Sequence, residues 1–450
     1  MTGKTVRNAI LILTLASTGT GSAVPSVKAL LIAGGTGSAV PKGVAGLIAE
    51  GTPAAQDIQH ETRTINIEIP VRIFKGDAFV DHLTIGDFEV FENGRPQTLD
   101  AVYLVKKASI ERRDEMKSFT PDTGRHFYLF FELTEYDPKL RDALDYFIRE
   151  VLAPGDELIV VTPLKTYRMK SDVLRAAGRD KIVEKFLGLL RRDIQIGSAE
   201  YLDVIDDMRS LAMAVAGTVG AGGGDPKRQT TGDPFGFSDS VIEVQRSAEE
   251  QLQNYADSLS RLEHLRDLDA GRVNALAELL RQQSGQKEIF LFYQREFIPK
   301  IEPAALSALT SVYNQRPDIV QTLTSIFEFF RRDEPLDVEP VKRAYSDSGA
   351  GIHFLYLTRP APKFRGLVME EQSEDIFAPF REMARATGGL MSSTANVSAA
   401  MRSAIAASEN YYLLYYTPQN YRPDGSFRKL EVRVKGGGYR TSYRQGYIAD

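Results

Sequence analysis

The chain has 450 residues and a formal net charge of -5, with 43% hydrophobic and 26% charged residues, the balance of a globular protein long enough for two or three domains. It contains no cysteine, which excludes disulfides, thiol catalysis and cysteine metal sites; its five histidines offer no i,i+4 pair of the zinc-binding kind. The acidic balance argues against a nucleic-acid partner, which needs a concentrated basic surface.

The N-terminus reads as basic (Lys4, Arg7), then apolar (Ala9 to Ala16), then small residues, the layout of a secretory signal. Its apolar run is far shorter than the ~20 residues a bilayer span requires. A duplication follows, with "GTGSAVPSVKALLIAG" at 19–34 echoed by "GTGSAVPKGVAGLIAE" at 35–50, both too rich in glycine, alanine and proline to bury a core. Residues 1–55 are expected to be a signal and low-complexity leader, with cleavage near Ala54-Ala55 or, alternatively, retention as a membrane tether. The product is then periplasmic or extracellular.

From Thr62, short β-rich runs alternate with turn residues. Asn93-Gly94, between "FEVFE" and "RPQTLDAV", is a strong hairpin signal, because a type I′ turn needs φ > 0 at both central positions. A small β-sandwich-like module is expected at 56–112, followed by a charged linker at 113–124. Strands and helices then alternate over 125–418, which predicts an open, mostly parallel, doubly wound α/β sheet. Its strands are expected at "HFYLFFEL", "DELIVVTPL", "EIFLFYQ", "GIHFLYLT" and "NYYLLYYT", with "KTYRMKSD" as an edge and a helix ending at Gly388-Gly389.

A helical insertion is expected at 172–285. Val241, Val244, Ala248, Leu252, Tyr255, Leu259 and Leu262 form a stripe spaced three and four apart, suited to a helix–helix seam. The glycine-rich stretch 217–238 reads as the tip between two helices, and the pair either packs on its own domain or projects as a partner-binding arm. In the tail, "YYLLYY" reads as a buried strand with alternating faces. Residues 419–450 read as a hairpin that joins the N-terminal module, with Arg428, Lys429, Arg433, Lys435, Arg440 and Arg444 on its solvent face.

Three segments together resemble the bacterial VWFA-related family, whose members carry a von Willebrand factor A-type (VWA) domain. They are "LTIGDFEVFENGRPQTL", "FYLFFELTEYDPKLRDALDYFIREVLAPGDELIVVTP" and the tail from "REMARATGGLMSST" to "YRQGYIAD". The resemblance implies a VWA-like, Rossmann-like fold and a site at the carboxyl ends of the strands. In that family the first loop reads Asp-x-Ser-x-Ser and holds Mg²⁺ or Mn²⁺ through oxygen ligands. Here the matching positions are Glu132, Thr134 and Tyr136. The distal aspartate position falls at Gln294-Arg295-Glu296, where an arginine puts fixed positive charge in place of a cation.

The resemblance therefore implies a degenerate site that holds no metal or other cofactor. Arg295 is expected to take the cation's electrostatic role by pairing with Glu132 or Glu135, and Asp137 reads as a helix N-cap before Pro138. Glu132, Thr134, Glu135, Tyr136, Arg295 and Glu296 are the candidate partner-binding residues. With no GxSxG, no P-loop and no histidine near a nucleophile, an enzyme is not expected. The expected function is an exported module that binds another protein without a divalent cation. The alternatives are a Mg²⁺- or Mn²⁺-dependent adhesion domain with an unusual ion site, and a carboxylate enzyme using Glu132 and Glu135 as acid and base.

Overall fold

The computed structural model describes residues 65–169, 178–222, 239–266, 270–329, 338–364, 367–371 and 373–450. The expected leader at 1–55 and the 223–238 part of the glycine-rich tip lie outside them. Residues 217–222, expected to begin that tip, instead continue a helix.

The described chain enters through β1 (Ile67–Lys75), β2 (Ala78–Phe79), β3 (Phe88–Glu92), β4 (Arg95–Gln97), β5 (Leu99–Lys106) and β6 (Ser109–Glu115). The β3–β4 turn sits at Asn93-Gly94, whose φ values of 48° and 78° are the left-handed pair a type I′ turn requires. β6 crosses from the expected module into the expected linker. Its alternation of exposed and half-buried residues marks an edge strand with one wet face.

β7 (Arg125–Glu132), α1 (Leu140–Tyr146), β8 (Glu157–Val161) and β9 (Thr166–Met169) follow. Helices α2 (Arg179–Gly197), α3 (Ala199–Gly222), α4 (Asp239–Arg266) and α5 (Ala270–Arg281) separate them from β10 (Gln286–Gln294). Then come β11 (Phe297–Ile301), α6 (Pro303–Val312), α7 (Pro317–Phe329), α8 (Val338–Ser348), β12 (Ala350–Leu357) and β13 (Leu367–Glu371). The remainder runs α9 (Glu374–Thr387), β14 (Met391–Thr394), α10 (Val397–Ser408), β15 (Asn410–Tyr416), β16 (Phe427–Val434), β17 (Arg440–Tyr443) and β18 (Gly446–Ile448).

The pairing of these strands overturns the expected fold class. The protein is mixed α/β with antiparallel pairing predominant, and a parallel Rossmann-like VWA sheet is not its organising unit. Parallel pairing is confined to β14 with β12, β12 with β10, β10 with β7 and β7 with β8, and that sheet closes on the antiparallel edge strand β9. Every other pairing among the described strands is antiparallel. A second six-stranded sheet, ordered β17-β1-β15-β5-β6 with β2 on β1, curls into a half-barrel. Register shifts at Tyr415/Tyr416 and Leu104/Val105 add the local twist that bends it.

β15 explains much of the misreading. "NYYLLYY" was expected among the parallel strands, yet it lies between β1 and β5 of the antiparallel sheet. Both faces of this sheet are covered where β15 runs. Tyr412, Leu414 and Tyr416 enter a core with Ile69, Val102 and Val432, while Tyr411, Leu413 and Tyr415 pack on the other side against Tyr103 and Phe119. A strand apolar on both faces looks the same in sequence whichever sheet receives it.

The β7–β10–β12 sheet buries Phe131, Phe292 and Leu355 under α1, α2 and α10, and Ile289, Ile352 and Tyr128 under α5, α8 and α9. Each such side chain removed from water contributes about 1.5–3 kcal/mol. The helical segment makes a third core: Val204 and Met208 of α3 meet Tyr255 and Leu259 of α4. This pair does not stand alone, because Ile298 of β11, Leu306 of α6 and Leu323 of α7 complete the same core. Tyr255 also donates to the Pro299 carbonyl at 2.6 Å. The α3–α4 pair is therefore packed into a module reaching beyond 172–285; the Val241, Val244 and Ala248 side chains lie outside the described set. No helix among the described residues is long and apolar enough to cross a membrane.

Candidate functional site

β7, β10 and β12 end side by side, with Glu132 level with Tyr293 and Gln294 level with Leu357. The chain leaves β10 directly into β11, and β13 pairs with β11, so the helical module begins where these strands stop. The candidate residues line that junction.

The loop after β7 is held by one neutral side chain. Gln294 Oε1 accepts from the Thr134 amide at 3.2 Å, the Thr134 hydroxyl at 3.2 Å and the Glu135 amide at 2.9 Å. These groups aim donor hydrogens at one oxygen, which suits an acceptor and opposes a cation. Asp137, expected as the N-cap of α1, instead accepts from the Lys139 amide at 2.9 Å in the turn before the helix, and the N-cap position falls on Lys139 with no side-chain cap bond. Tyr136 turns back against the core under α1, and burial pushes its phenol up.

The charges pair differently from the sequence expectation. Arg295 does not reach Glu132 or Glu135; its Nε lies 3.0 Å from Glu371. The partner of Glu135 is Arg359, at 2.7 Å, which follows β12 as Arg295 follows β10. The Arg359 Nε also donates to the Arg295 carbonyl at 2.9 Å, and both guanidiniums sit about 6 Å from the ring of Phe297 (6.0 and 5.8 Å). Behind Arg295, Tyr356 donates to Glu371 and lies 2.6 Å from the buried Ser373 hydroxyl. Burial first, and the Glu371 carboxylate second, raise the Tyr356 phenol.

Glu132 stands at the outer end of β7 with part of its surface open to water. Desolvation by the neighbouring protein, with the Glu296 carboxylate adding to it, lifts Glu132 above the usual range even at this exposed position. Glu296 itself is buried, and its amide is 3.5 Å from the Ser373 hydroxyl. The structure therefore brings Thr134 and Glu135 onto Gln294, and Glu132 toward Glu296, but it directs Arg295 elsewhere.

A hard divalent cation needs about six oxygens at roughly 2.0–2.6 Å. Among the described residues no group of three or more His, Asp or Glu side chains is placed to hold one. The Thr134 and Glu135 donors point at Gln294, and the Glu135 carboxylate is engaged by Arg359. Sequence reasoning missed Arg359 and the role of the Gln294 amide. The legible signal was a second arginine placed directly after a strand, in "LYLTR", matching "FYQR". No family model, curated protein or solved structure matches the chain.

Proposed function

We propose that the protein is an interaction module that engages a protein partner through the open part of this strand-end rim, without a divalent cation. One observation carries the reading: the Gln294 oxygen and the Arg359 guanidinium set the rim loop in place from within the chain. A loop ordered beforehand loses less freedom when a partner arrives, which favours affinity. Glu135 supplies an exchangeable face, since its side chain is 57% exposed although paired. The basic and apolar N-terminal pattern supports export, so the partner is sought in the cell envelope or outside it.

The test replaces Glu132, exposed on the same rim, with a photo-crosslinking residue in the full chain and exposes it to an envelope extract, with and without EDTA. A crosslinked protein is expected at this position in both conditions. Charge reversal of the pair, Glu135→Lys with Arg359→Glu, is expected to weaken capture about tenfold, a change of about 1.4 kcal/mol. Loss of the crosslink in EDTA, or capture untouched by the reversal, overturns the proposal.

A further inference from the structure

The opposite ends of the same strands hold a second cluster that the rim does not use. Arg72 of β1, Glu288 of β10 and His353 of β12 are 4%, 1% and 1% exposed, so three ionisable groups share one dry junction between the two six-stranded sheets. Glu288 is fully engaged: Oε1 accepts from the Arg72 guanidinium and from Gln286 at 2.8 Å, and Oε2 lies 2.7 Å from His353 Nε2. On the far side of the imidazole, the Leu390 amide donates to Nδ1 at 3.1 Å.

That second bond fixes the proton. An amide N–H aimed at Nδ1 requires a lone pair there, so Nε2 carries the hydrogen and donates to Glu288, and the imidazole is neutral. A second proton would land on Nδ1 and face the Leu390 N–H, turning a hydrogen bond into a donor–donor contact.

Leu390 belongs to a turn with little freedom to adjust. Gly388 is left-handed at φ 71°, and a Cβ there would meet the Tyr443 backbone at 2.7 Å. A Cβ on Gly389 would lie 1.8 Å from the Ile352 carbonyl. The Gly388 carbonyl accepts from both Arg72, at 3.3 Å, and Ser442 of β17. The turn is thus pinned to β12 on one side and to β1 and β17 on the other.

We propose that His353 is the acid-sensitive element of a clasp between the sheets: neutral, it holds the 388–390 turn; doubly protonated, it releases that turn from β12 and loosens β1 and β17. The charged or titratable groups near it are Glu288 of β10 and Arg72 of β1, with the Tyr411 phenol of β15 close to both of these. The Phe290 ring stacks on the imidazole at 4.9 Å, and α10 covers that face with Met401, Ala404 and Ile405, which carry no charge. α9 contributes the neutral Thr387 hydroxyl, which accepts from the Ile352 amide at 3.1 Å. Acid that adds this second proton, at the one ring nitrogen already taken by an N–H donor, is the trigger.

Selective ¹⁵N-histidine NMR on the full chain reads the tautomer and the second proton of His353, assigned by loss of its signal in His353→Gln. Hydrogen exchange of the 386–392 peptide, corrected for the intrinsic pH dependence of exchange, reads the turn. The expected result is an Nε2–H tautomer at neutral pH and loss of protection at 386–392 in step with the second proton. His353→Gln, which keeps a donor and an acceptor but cannot titrate, is expected to remove the pH dependence. The clasp is refuted if the imidazole gains its proton while protection is unchanged. It is equally refuted if the imidazole stays neutral until the whole chain unfolds, or if folded His353→Gln keeps the same pH dependence. Should that variant fail to fold, substituting Gln at His60, His82, His126 and His264 assigns the remaining signal to His353, and the pH series in the unaltered chain still links proton to protection.

Discussion

Strands β10 and β12 carry charged residues at both ends, and the two ends treat them differently. Toward the amino ends, Glu288 and His353 are buried against Arg72, and both Glu288 oxygens and both imidazole nitrogens are engaged. At the carboxyl ends, Arg359 with Glu135 and Arg295 with Glu371 pair across a half-open rim, with side chains 23–57% exposed. Burial, rather than charge, separates the roles. A desolvated pair fixes how two sheets meet, whereas a wet pair can exchange its partner. The Glu288 carboxyl illustrates the first case: burial opposes its ionisation, yet Arg72 and His353 outweigh burial and hold it below the usual range.

The sharpest way to break this contrast is to remove one member of the buried cluster. Arg72→Ala leaves the Glu288 carboxylate in a dry junction short of its guanidinium, and is expected to cost about 3–5 kcal/mol. Urea unfolding followed by circular dichroism measures it. Replacing both charges, Arg72→Met with Glu288→Leu, is expected to cost less than Arg72→Ala alone, because no uncompensated charge remains. A double variant weaker than the single one would mean that the pair itself supplies net stability.

How far the chain could be read beforehand follows the same division. Asn93-Gly94, the strands at β7, β10 and β12, the edge strand β9 and the helix stop at Gly388 were legible because each rests on local chemistry. The sheet to which β15 belongs was not, since its tyrosines and leucines satisfy any two-sided interior. β11 and β13 were also passed over: "FIPKI" and "LVMEE" are five residues each, one holding a proline, and they acquire meaning only by pairing with each other. At the rim, the acidic loop at Glu132 and Glu135 was visible. Its partner was misassigned because two arginines follow two neighbouring strands, and only the fold decides which faces Glu135. Arg444, expected on the solvent face, instead folds inward and donates to the Glu68 carbonyl at 2.6 Å.

A buried cation next to the clasp sharpens the comparison through pH. Lys287, 6% exposed, donates to the Leu280 and Gln283 carbonyls at 3.0 and 2.7 Å, closing the end of α5. Burial, and then the nearby Arg444, lower its ammonium to about 8, with Glu68 and Asp347 opposing. In the unfolded chain a lysine keeps its proton to about pH 10.4. Between those values the unfolded state binds more protons than the folded one, so stability rises with pH across that window. A gain of about 1–3 kcal/mol from pH 8 to pH 10 is expected in denaturant titrations, with Lys287→Met lacking it. Equal slopes in the two proteins would mean that this amine is solvated in the native state.

The smallest effect is expected at the rim, and its smallness is what the interaction reading requires. Glu135→Ala removes the carboxylate paired with Arg359, yet Glu135 is 57% exposed and Arg359 keeps its bond to the Arg295 carbonyl and its place beside Phe297. Water replaces the lost carboxylate at little cost, so the change in stability is expected to stay under about 1 kcal/mol and to shrink further in high salt. Thermal melts at low and high ionic strength measure this directly. A loss as large as that of Arg72→Ala would make Glu135–Arg359 a structural bond of the same kind as the buried cluster. A guanidinium so committed could not be handed to a partner, and the division between the two ends of β10 and β12 would disappear.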